Sequence, residues 1–565
     1  MGLTSYFRSA TESLLPSFNP ETDIEEVFIP MSPYQISVYN KIRNIEINKE
    51  KSANLSNRLK TTNDLYKKSS AAYKIYSREC CNIAFPEDIP RPRPIIKKKK
   101  EDDDDKDKTK KTKTKQKLDE SKTLDKNAFT EEAIMNAAKI DSDEPETNIE
   151  GDTLSSIDSS VSAEIDTFED KSYADRVKEA LEQLDTNKNE LFIGDNLQKY
   201  SPKFNTLLKN INNQIVNKDG STGDGTHLIY SFYNNVEGLG IFKMVMEANG
   251  YAQFKISNKN DENQWKINMN EEDLLKPCFI LYSGNEDTDE KEYLRLIFNS
   301  DWDKLPDTLR KQLLSIKNRL LPPEDETKIT NNFHGEIIKV FMITAAGAEG
   351  ITLKNVRAVH LMEPFWHPVR FEQVIGRAVR ICSHEQLEEH EQSVKVYIYL
   401  MTFSQRQLKG NPEGKDEQQK KPLVSTLILT NDISKVDPNK VITSDEKLYE
   451  ISNMKKKVNA AILKVIKETS IDCKVHKKAG SDLQCFTMNF PKSDEYLFNP
   501  DLNKDAPGQV EEVNFKLIPI KDPKNPSKKY YLKKDNNDPN DFKGKLYDYN
   551  AWKKYKQLVF IGESD

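Results

Sequence analysis

The sequence predicts an α/β fold in which a parallel sheet is flanked by helices, and two observations lead to that prediction. Short apolar segments predict strands at residues 227–232, 278–282, 337–344, 356–362 and 394–402. Several of these segments are apolar on both faces, as the strands of a buried parallel sheet must be. Segments with helical periodicity lie between them, at residues 236–248, 290–298 and 369–381. Strands that alternate with helices in this way favour a doubly wound lobe.

Length and composition limit the class of protein. The chain has 565 residues, of which 36% are apolar and 31% are charged, a balance that leaves room for segments without a packed core. Its net charge of −6 provides no general attraction to nucleic acid, so any such contact requires a local basic surface. We see no disulfide framework, signal peptide or membrane-spanning run, and therefore expect a reducing compartment and no anchor.

The first part of the chain divides into two segments. Residues 1–88 combine short apolar patches with a helical pattern over 33–47, and we interpret them as a remnant that links to a missing first lobe. Residues 89–170 contain 11 lysines against 6 acidic residues over 97–117, and 16 acidic residues against 3 lysines over 119–170. With so few large apolar side chains they cannot offset the entropy of ordering, so we predict a disordered charged insertion. A binding tail or a nuclear address is the alternative.

The remaining segments are predicted in order along the chain. Residues 171–405 form the α/β lobe, 406–425 a linker, 426–500 a helical extension and 501–565 a small C-terminal module. Thr443 and Glu446 have the spacing of a capping box at the start of a long amphipathic helix. Cys473, His476 and Cys485 could offer three metal ligands, but a fourth at tetrahedral spacing is missing, so we favour separate residues.

The most informative pattern is a pair of arginines near residue 380. Gln373, Arg377 and Arg380 recur at intervals of four and three, so a helix over 369–381 would present them on one face. A planar guanidinium group stays ionised and donates to two oxygens, which suits the charge that develops on a transferring phosphoryl group. Gly376 removes a side chain where another backbone could approach. The alternative is a pair of ordinary surface arginines.

A glycine-bearing loop precedes this helix. Residues 344–352 follow the strand at 337–343 and include Gly347 and Gly350, which would let backbone amides approach a phosphate or a ribose. Open α/β sheets place ligands at the carboxyl ends of their strands, where this loop lies. A plain strand-to-helix turn also needs glycines, but the combination of loop, strand and arginine helix favours a nucleotide site.

These segments resemble the fifth and sixth motifs of superfamily 2 helicases, and residues 227–242 resemble the fourth motif. More narrowly, EPFWHP followed by QVIGRAVRICSH is similar to Swi/Snf-type ATPases of large DNA viruses, the group of the poxvirus early-transcription-factor ATPase subunit. The resemblance is strong only over residues 227–403. It implies a second RecA-like lobe that acts on nucleic acid, in a transcription factor, a helicase or a translocase, in the host cytoplasm or the virion.

The resemblance also implies roles for individual residues. The arginine fingers would be Arg380 and Arg377, and the cofactors would be ATP and Mg²⁺. Contacts near the nucleotide or the lobe interface would come from Gln373, Gly376, Gly350 and Thr352. Contacts with the backbone of a bound strand would come from Thr344, Gly347 and Ser231.

The chain departs from that family in one respect. Nowhere does it contain the sequence G-x-x-x-x-G-K followed by Ser or Thr, which holds the phosphates of ATP in the first lobe. GSTGDGT at 220–226 lacks the lysine. We therefore expect a split or truncated gene product that hydrolyses no ATP alone and needs a separate first-lobe polypeptide. The alternatives are a non-catalytic scaffold for nucleic acid or polymerase, or a decayed fragment.

Overall fold

The computed structural model describes most of the α/β region and parts of the C-terminal region. The described residues are 14–57, 74–93, 173–258, 265–282, 288–321, 328–344, 350–411, 420–470, 473, 482–485, 517–522, 528–534, 543–555 and 559–564. They belong to two compact units, which are Ala10–Val458 and a second unit of Met1–Ser9 with Asn459–Asp565. None of the helices within these ranges is long and apolar enough to cross a membrane.

The described strands, in chain order, are β1 (Ile24–Pro30), β2 (Ile215–Val216), β3 (Thr222–Gly223), β4 (Thr226–Tyr230), β5 (Ala252–Gln253), β6 (Ile256–Asn258), β7 (Trp265–Ile267), β8 (Cys278–Tyr282), β9 (Ile338–Ile343), β10 (Val356–Leu361), β11 (Lys395–Thr402), β12 (Leu517–Lys521), β13 (Lys529–Lys534), β14 (Gly544–Asp548) and β15 (Phe560–Ser564). Seven of them form one sheet in the order β1-β11-β10-β4-β9-β8-β5. Every neighbouring pair in that sheet is parallel.

The described helices are α1 (Pro33–Asn57), α2 (Ile75–Asn82), α3 (Tyr173–Thr186), α4 (Lys188–Leu191), α5 (Gly194–Tyr200), α6 (Pro202–Asn212), α7 (Leu239–Ala248), α8 (Glu271–Leu274), α9 (Thr288–Phe298), α10 (Asp307–Leu313), α11 (Val369–Ala378), α12 (Gln405–Lys409), α13 (Thr426–Asn431), α14 (Ser444–Thr469) and α15 (Tyr549–Tyr555). Buried side chains of the first unit form one apolar core, to which both the helices and the sheet contribute.

The predicted α/β class with a parallel sheet is confirmed. The central strands β4, β9 and β10 have almost every side chain buried, which explains why they are apolar on both faces. Each of the five predicted strands lies within two residues of an observed one. The charged insertion predicted over 89–170 falls mainly outside the described residues.

The first ninety residues contribute to the same sheet. β1 pairs in parallel with β11, from Ile24 opposite Val396 to Pro30 opposite Thr402. Behind it the buried Arg43 of α1 donates from Nε to Asp432 Oδ2 over 2.8 Å. The division of the chain at residue 88 stays a prediction, but β1 pairs with a strand of the predicted lobe and α1 contacts a residue that follows it.

The start of α14 has the predicted capping geometry. Thr443 N donates to Glu446 Oε2 over 3.1 Å, and Glu446 N donates to Thr443 Oγ1 over 3.2 Å, so each side chain satisfies the other's backbone N–H. The apolar stripe of the helix is buried at Leu448 but exposed farther on, where Val458 and Val465 are each 58% exposed.

The second unit contains a four-stranded antiparallel sheet in the order β12-β13-β14-β15, with α15 between its last two strands. Cys473 and Cys485 form a disulfide with their Cα atoms 5.7 Å apart, so the expectation of two separate residues is wrong. A spacing of 12 residues does not by itself reveal such a pair in the sequence. No group of three possible metal ligands occurs within the described residues, which exclude His476.

Candidate functional site

The helix α11 positions the two predicted arginines. Its inner face packs against the sheet through Phe371, Val374, Ile375 and Ala378, which are buried. Gln373 is exposed on the outer face. Pro368 precedes the first helical residue with helical dihedrals (φ −69°, ψ −25°), a position at which proline forfeits no helical hydrogen bond.

α11 ends three residues earlier than predicted, at Ala378 rather than 381. Val379 leaves the helical region (φ −92°, ψ 86°), so Arg380 lies in irregular chain just past the helix. The expectation that Arg380 shares a continuous helical face with Gln373 and Arg377 is therefore wrong. Both arginines still lie at the C-terminal end of α11, where the negative end of the helix dipole favours a cation.

The guanidinium group of Arg380 is held in place by two acceptors. Its Nε donates to Gly376 O over 2.9 Å, and its Nη1 donates to Thr352 Oγ1. The side chain is half-buried. Among the described residues, no hydrogen bond from its Nη2 is found, so that edge of the guanidinium group is available to a further acceptor.

A short network stabilises the turn that carries Arg380. Ser383 Oγ lies 2.8 Å from both Arg380 O and His384 Nδ1, and His384 Nε2 lies 2.8 Å from Val356 O. Burial lowers the pKa of His384 to about 4, so the ring is neutral. A neutral ring that donates from Nε2 to a carbonyl accepts at Nδ1, which fits the position of the Ser383 hydroxyl.

The chain that leads into β10 runs beside the last turn of α11. Arg377 Nη1 donates to Ile351 O over 3.4 Å, and Leu353 N donates to Arg377 O over 3.3 Å. Asn299 fixes the same segment from the other side, because its Nδ2 donates to Thr352 O and its Oδ1 accepts from Lys354 N, both over 2.9 Å. Sequence reasoning missed Asn299, whose only signal is its place directly after the helical pattern at 290–298.

Two of the predicted glycines leave open space near the arginines. A Cβ atom added to Gly376 would meet nothing within 4 Å, and the same holds for Gly350. Gly350 also has φ +75°, a conformation that other residues adopt only with strain. Gly347 lies outside the described residues. The described part of the loop and the end of α11 thus combine two cationic groups with two glycines whose Cβ positions are open among the described residues.

The other predicted residues, Ser231 and Thr344, meet at the carboxyl edge of the sheet. The register places Tyr230 opposite Ile343, and Ser231 N donates to Ile343 O over 3.2 Å, so the ends of β4 and β9 are level. Both hydroxyl-bearing residues are fully buried. Within the described residues no partner is found for Thr344 Oγ1.

Glu363 is a buried carboxylate at this edge that sequence reasoning did not single out. It is 3% exposed and accepts from Ser231 Oγ over 2.7 Å, from Phe232 N over 2.9 Å and from Asn82 Nδ2 over 2.6 Å. Burial raises the pKa of its carboxyl group. Its signal was the EPFWHP motif, in which an acidic residue follows a strand that is buried along its whole length.

The predicted site residues therefore form two groups at opposite ends of the sheet. The arginine group lies at the start of β10, since Asn355 N donates to Ser383 O over 2.9 Å. Ser231 and Thr344 lie at the carboxyl ends of β4 and β9. The six residues of β10 extend over about 17–20 Å between these two edges.

Comparison with known proteins identifies the region that holds the arginine group. Residues 289–382 match the family described as the helicase conserved C-terminal domain. This chain contains a helicase C-terminal domain. The expectation of a superfamily 2 helicase lobe is thus confirmed at the level of the domain, whereas the narrower likeness to a poxvirus early-transcription-factor subunit stays a prediction.

Viral proteins are similar to the chain over a longer region than this domain. A termination factor NPH-I homolog of African swine fever virus is 26% identical over 343 residues, which cover 59% of this chain and 39% of the relative. A protein of Acanthamoeba polyphaga mimivirus, named as an ATP-dependent RNA helicase, is 24% identical over 518 residues, which cover 87% of this chain and 49% of the relative. The chain thus spans about two-fifths to one-half of the length of these relatives.

One solved structure also aligns with the chain. The C-terminal part of the Fun30 ATPase domain matches with a TM-score of 0.31 and 14% identity, over 79% of this chain and 99% of that one. So weak a likeness adds nothing to the fold described above.

Proposed function

We propose that this chain supplies the C-terminal lobe of a nucleic-acid-dependent ATPase of the helicase superfamily. In this proposal Arg380, with Arg377 beside it, stabilises the negative charge on the γ-phosphoryl group of ATP. The phosphate-binding loop and the ligands of Mg²⁺ lie on a first lobe that these 565 residues do not include. Gln373, Gly376, Gly350 and Thr352 line the surface that faces this nucleotide.

The observation that carries the proposal is the way in which Arg380 is held. Gly376 O and Thr352 Oγ1 fix Nε and Nη1, so the guanidinium plane is oriented before any ligand binds. A preorganised donor stabilises developing charge without reorganisation during the reaction. Arginine also keeps its charge in such a site, as a phosphate-binding group must.

The described residues fit a phosphate group better than they fit a metal ion. Two guanidinium groups and two open glycines suit the oxygens of a terminal phosphate. Within the described residues no cluster of three metal-ligating side chains is present. In our proposal ATP bound with Mg²⁺ on the first lobe supplies the reactive phosphoanhydride, and this chain contributes positive charge and closes the site.

For nucleic acid we propose a path along the carboxyl edge of the sheet, near Ser231, Thr344 and Gly347. Helicase-family domains commonly act on nucleic acid, and phosphate contacts of this kind are largely independent of sequence. Because Ser231 is buried against Glu363, we assign it the role of fixing the turn after β4, so that backbone groups of this turn face the strand.

Phosphate release tests the proposal. The chain alone, with ATP, Mg²⁺ and duplex or single-stranded DNA, should release no phosphate, and robust release by the purified chain would contradict the need for a first lobe. A tagged chain, co-purified with a polypeptide that bears a phosphate-binding loop, should restore turnover. Arg380→Ala in that pair should lower kcat by about 10³-fold or more, since arginine fingers contribute 10³ to 10⁵.

Arg406→Ala is the matched control, because Arg406 is exposed on α12 and lies outside the matched domain. Normal turnover with Arg380→Ala would remove the finger assignment. A pair that binds DNA without any turnover would support the alternative, a non-catalytic scaffold derived from such an ATPase.

A further inference from the structure

The small sheet of the second unit carries an unusual set of side chains on one of its faces. Antiparallel partners project from the same side of a sheet, and alternate residues of a strand share that side. The register places Lys521 opposite Lys529, Tyr531 opposite Tyr547, and Lys533 opposite Lys545. Lysines and tyrosines of β12, β13 and β14 therefore share what we call the lysine–tyrosine face, defined by Lys521, Lys529, Lys533, Lys545, Tyr531 and Tyr547.

This face is the outer one. On the opposite side of β13 Leu532 is 0% exposed and lies opposite Leu546, so the apolar core of the sheet is there. On the lysine–tyrosine face, by contrast, Lys521, Lys529 and Lys545 are exposed.

The lysines of this face are arranged in cross-strand pairs of like charge. Lys521 lies directly across from Lys529, and Lys533 directly across from Lys545, and like charges in that relation destabilise a strand pair. On the other side of Lys545 the register places one carboxylate, Glu563. A chain whose net charge is −6 thus concentrates positive charge on one small surface, which complements a polyanion.

Aromatic rings alternate with these charges. Tyr549, the first residue of α15, stacks on Tyr531 with ring centroids 4.9 Å apart and planes 16° apart, and Lys529 Nζ lies 5.5 Å from the Tyr549 ring. On the other side of the face Phe560 is 54% exposed and its ring centroid is 6.1 Å from that of Tyr547. Rings of this kind offer flat surfaces next to ammonium groups.

We propose that the lysine–tyrosine face binds a single strand of nucleic acid, with its exposed lysines on phosphate groups and the neighbouring exposed ring of Phe560 stacked on an unpaired base. Surfaces that combine a basic track with aromatic rings bind single strands with little sequence preference. A duplex hides the faces of its bases, and an acidic peptide offers only charge, so neither uses the aromatic rings. This site belongs to the second unit, and it does not depend on the ATPase role of the first.

Binding of a short fluorescently labelled oligothymidylate to the full chain, followed by anisotropy, tests the proposal. A variant with Lys521→Gln, Lys529→Gln and Lys545→Gln should bind at least tenfold more weakly. Its slope of log affinity against log salt should be shallower by about 2, because each phosphate contact to a single strand contributes ~0.7. The control is Lys311→Gln, Lys420→Gln and Lys421→Gln, which removes the same charge from exposed lysines of the first unit.

Phe560→Ser should weaken binding of the oligothymidylate by about tenfold, the loss typical of one stacked base. Its control is Val436→Ser, which removes an apolar side chain that is 72% exposed in the first unit. Equal losses in the lysine variant and its control, or unchanged binding by Phe560→Ser, would overturn the proposal. The proposal would also be overturned if the lysine variant and Phe560→Ser each lost as much affinity for a duplex of the same length as for the oligothymidylate. Charge alone would then account for binding.

Thermal melting of each variant without DNA separates binding from folding. The lysine variant relieves repulsion between opposed ammonium groups, so its Tm should equal or exceed that of the parent. If the lysine variant melts at a lower temperature than the parent, a second variant with arginine at the same three positions keeps the positive charge. That second variant must bind the oligothymidylate as the parent does, and weak binding by it contradicts the proposal. Arg380→Ala should leave this binding unchanged, so the test is separate from that of the ATPase role.

Discussion

At the scale of single residues, Asn299 is the group on which the arginine site depends most directly. It is 1% exposed and bridges Thr352 O and Lys354 N with its amide. Since Thr352 in turn orients Arg380, Asn299 acts as a positioning residue for the proposed finger. Its contribution is to satisfy two backbone groups that would otherwise be left without a partner in a partly buried segment.

We predict that Asn299→Ala lowers the free energy of unfolding by about 1–3 kcal/mol, because it leaves a backbone donor and a backbone acceptor unsatisfied. Urea unfolding followed by circular dichroism measures the change. Asn213→Ala is the control, since Asn213 is exposed and should change stability by less than about 0.5 kcal/mol. Equal effects of the two substitutions would contradict the bridging role.

The residue types of the arginine site were predictable from the sequence, and their arrangement was predictable only in part. The spacing of Gln373 and Arg377 depends on helical period, and the helix exists. Arg380 falls outside the helix, in a turn where Ser383 Oγ lies close to Ala378 O and Arg380 O, and a local side-chain contact of that kind leaves no periodic signal. The role proposed for Arg380 stays a prediction.

At the scale of elements, the turn that leads into β9 contains an ionisable histidine, His334, that contacts two carboxylates. His334 Nε2 lies 3.1 Å from Glu391 Oε2, and its Nδ1 lies 3.4 Å from Glu336 Oε1. The hydrogen bond with Glu336, followed by that with Glu391, raises the pKa of His334 from 6.5 to about 9 against the effect of burial. The charged ring therefore joins the start of β9 to the chain just before β11.

Because the pKa of His334 is higher in the folded state than in the unfolded state, its stabilising effect is complete below pH 6.5 and is lost as pH rises through about 9. We predict that the difference in Tm between the parent chain and His334→Gln is largest below pH 6.5 and vanishes above about pH 9. Thermal melts of both proteins across this range measure it. A difference in Tm that stays constant with pH would rule out the ionic interaction of His334 with the two glutamates.

Elements of the central sheet were predicted well, while those at its edge were not. β8 has the predicted bounds, and β4, β9 and β10 are close to theirs, because buried central strands are continuous apolar runs. β1 has a mixed burial pattern, and its partner β11 is far along the sequence. An edge strand with one neighbour carries a weak local signal, and no local pattern reveals which strand it joins.

At the scale of the whole molecule, a buried ion pair joins distant parts of the first unit. Lys203 Nζ of α6 lies 2.6 Å from Asp445 Oδ2 at the start of α14 and donates to Asn82 Oδ1 of α2 over 2.8 Å. Both charged side chains are 0–1% exposed. Removal of one partner would leave a buried charge without compensation.

We predict that Lys203→Met lowers the free energy of unfolding by about 3–5 kcal/mol, and that adding Asp445→Leu recovers much of that loss because the buried carboxylate that Lys203 had paired with is then removed as well. Chemical denaturation of the single and double variants measures both effects. Lys178→Met is the matched control, since Lys178 pairs with Glu182 on the surface with a side chain that is 76% exposed. There the expected change is below about 1 kcal/mol. A double variant no more stable than the single one would contradict this account.

The pairing of β1 with β11 has a consequence for synthesis in the cell. Ile24 leaves the ribosome long before its partner Val396 exists, so at ~5–20 residues per second β1 waits roughly twenty to seventy-five seconds for the strand that completes it. During translation the backbone N–H and C=O groups of β1 therefore lack the strand that pairs with them in the folded chain. Such a segment is prone to bind chaperones and to be cut by proteases.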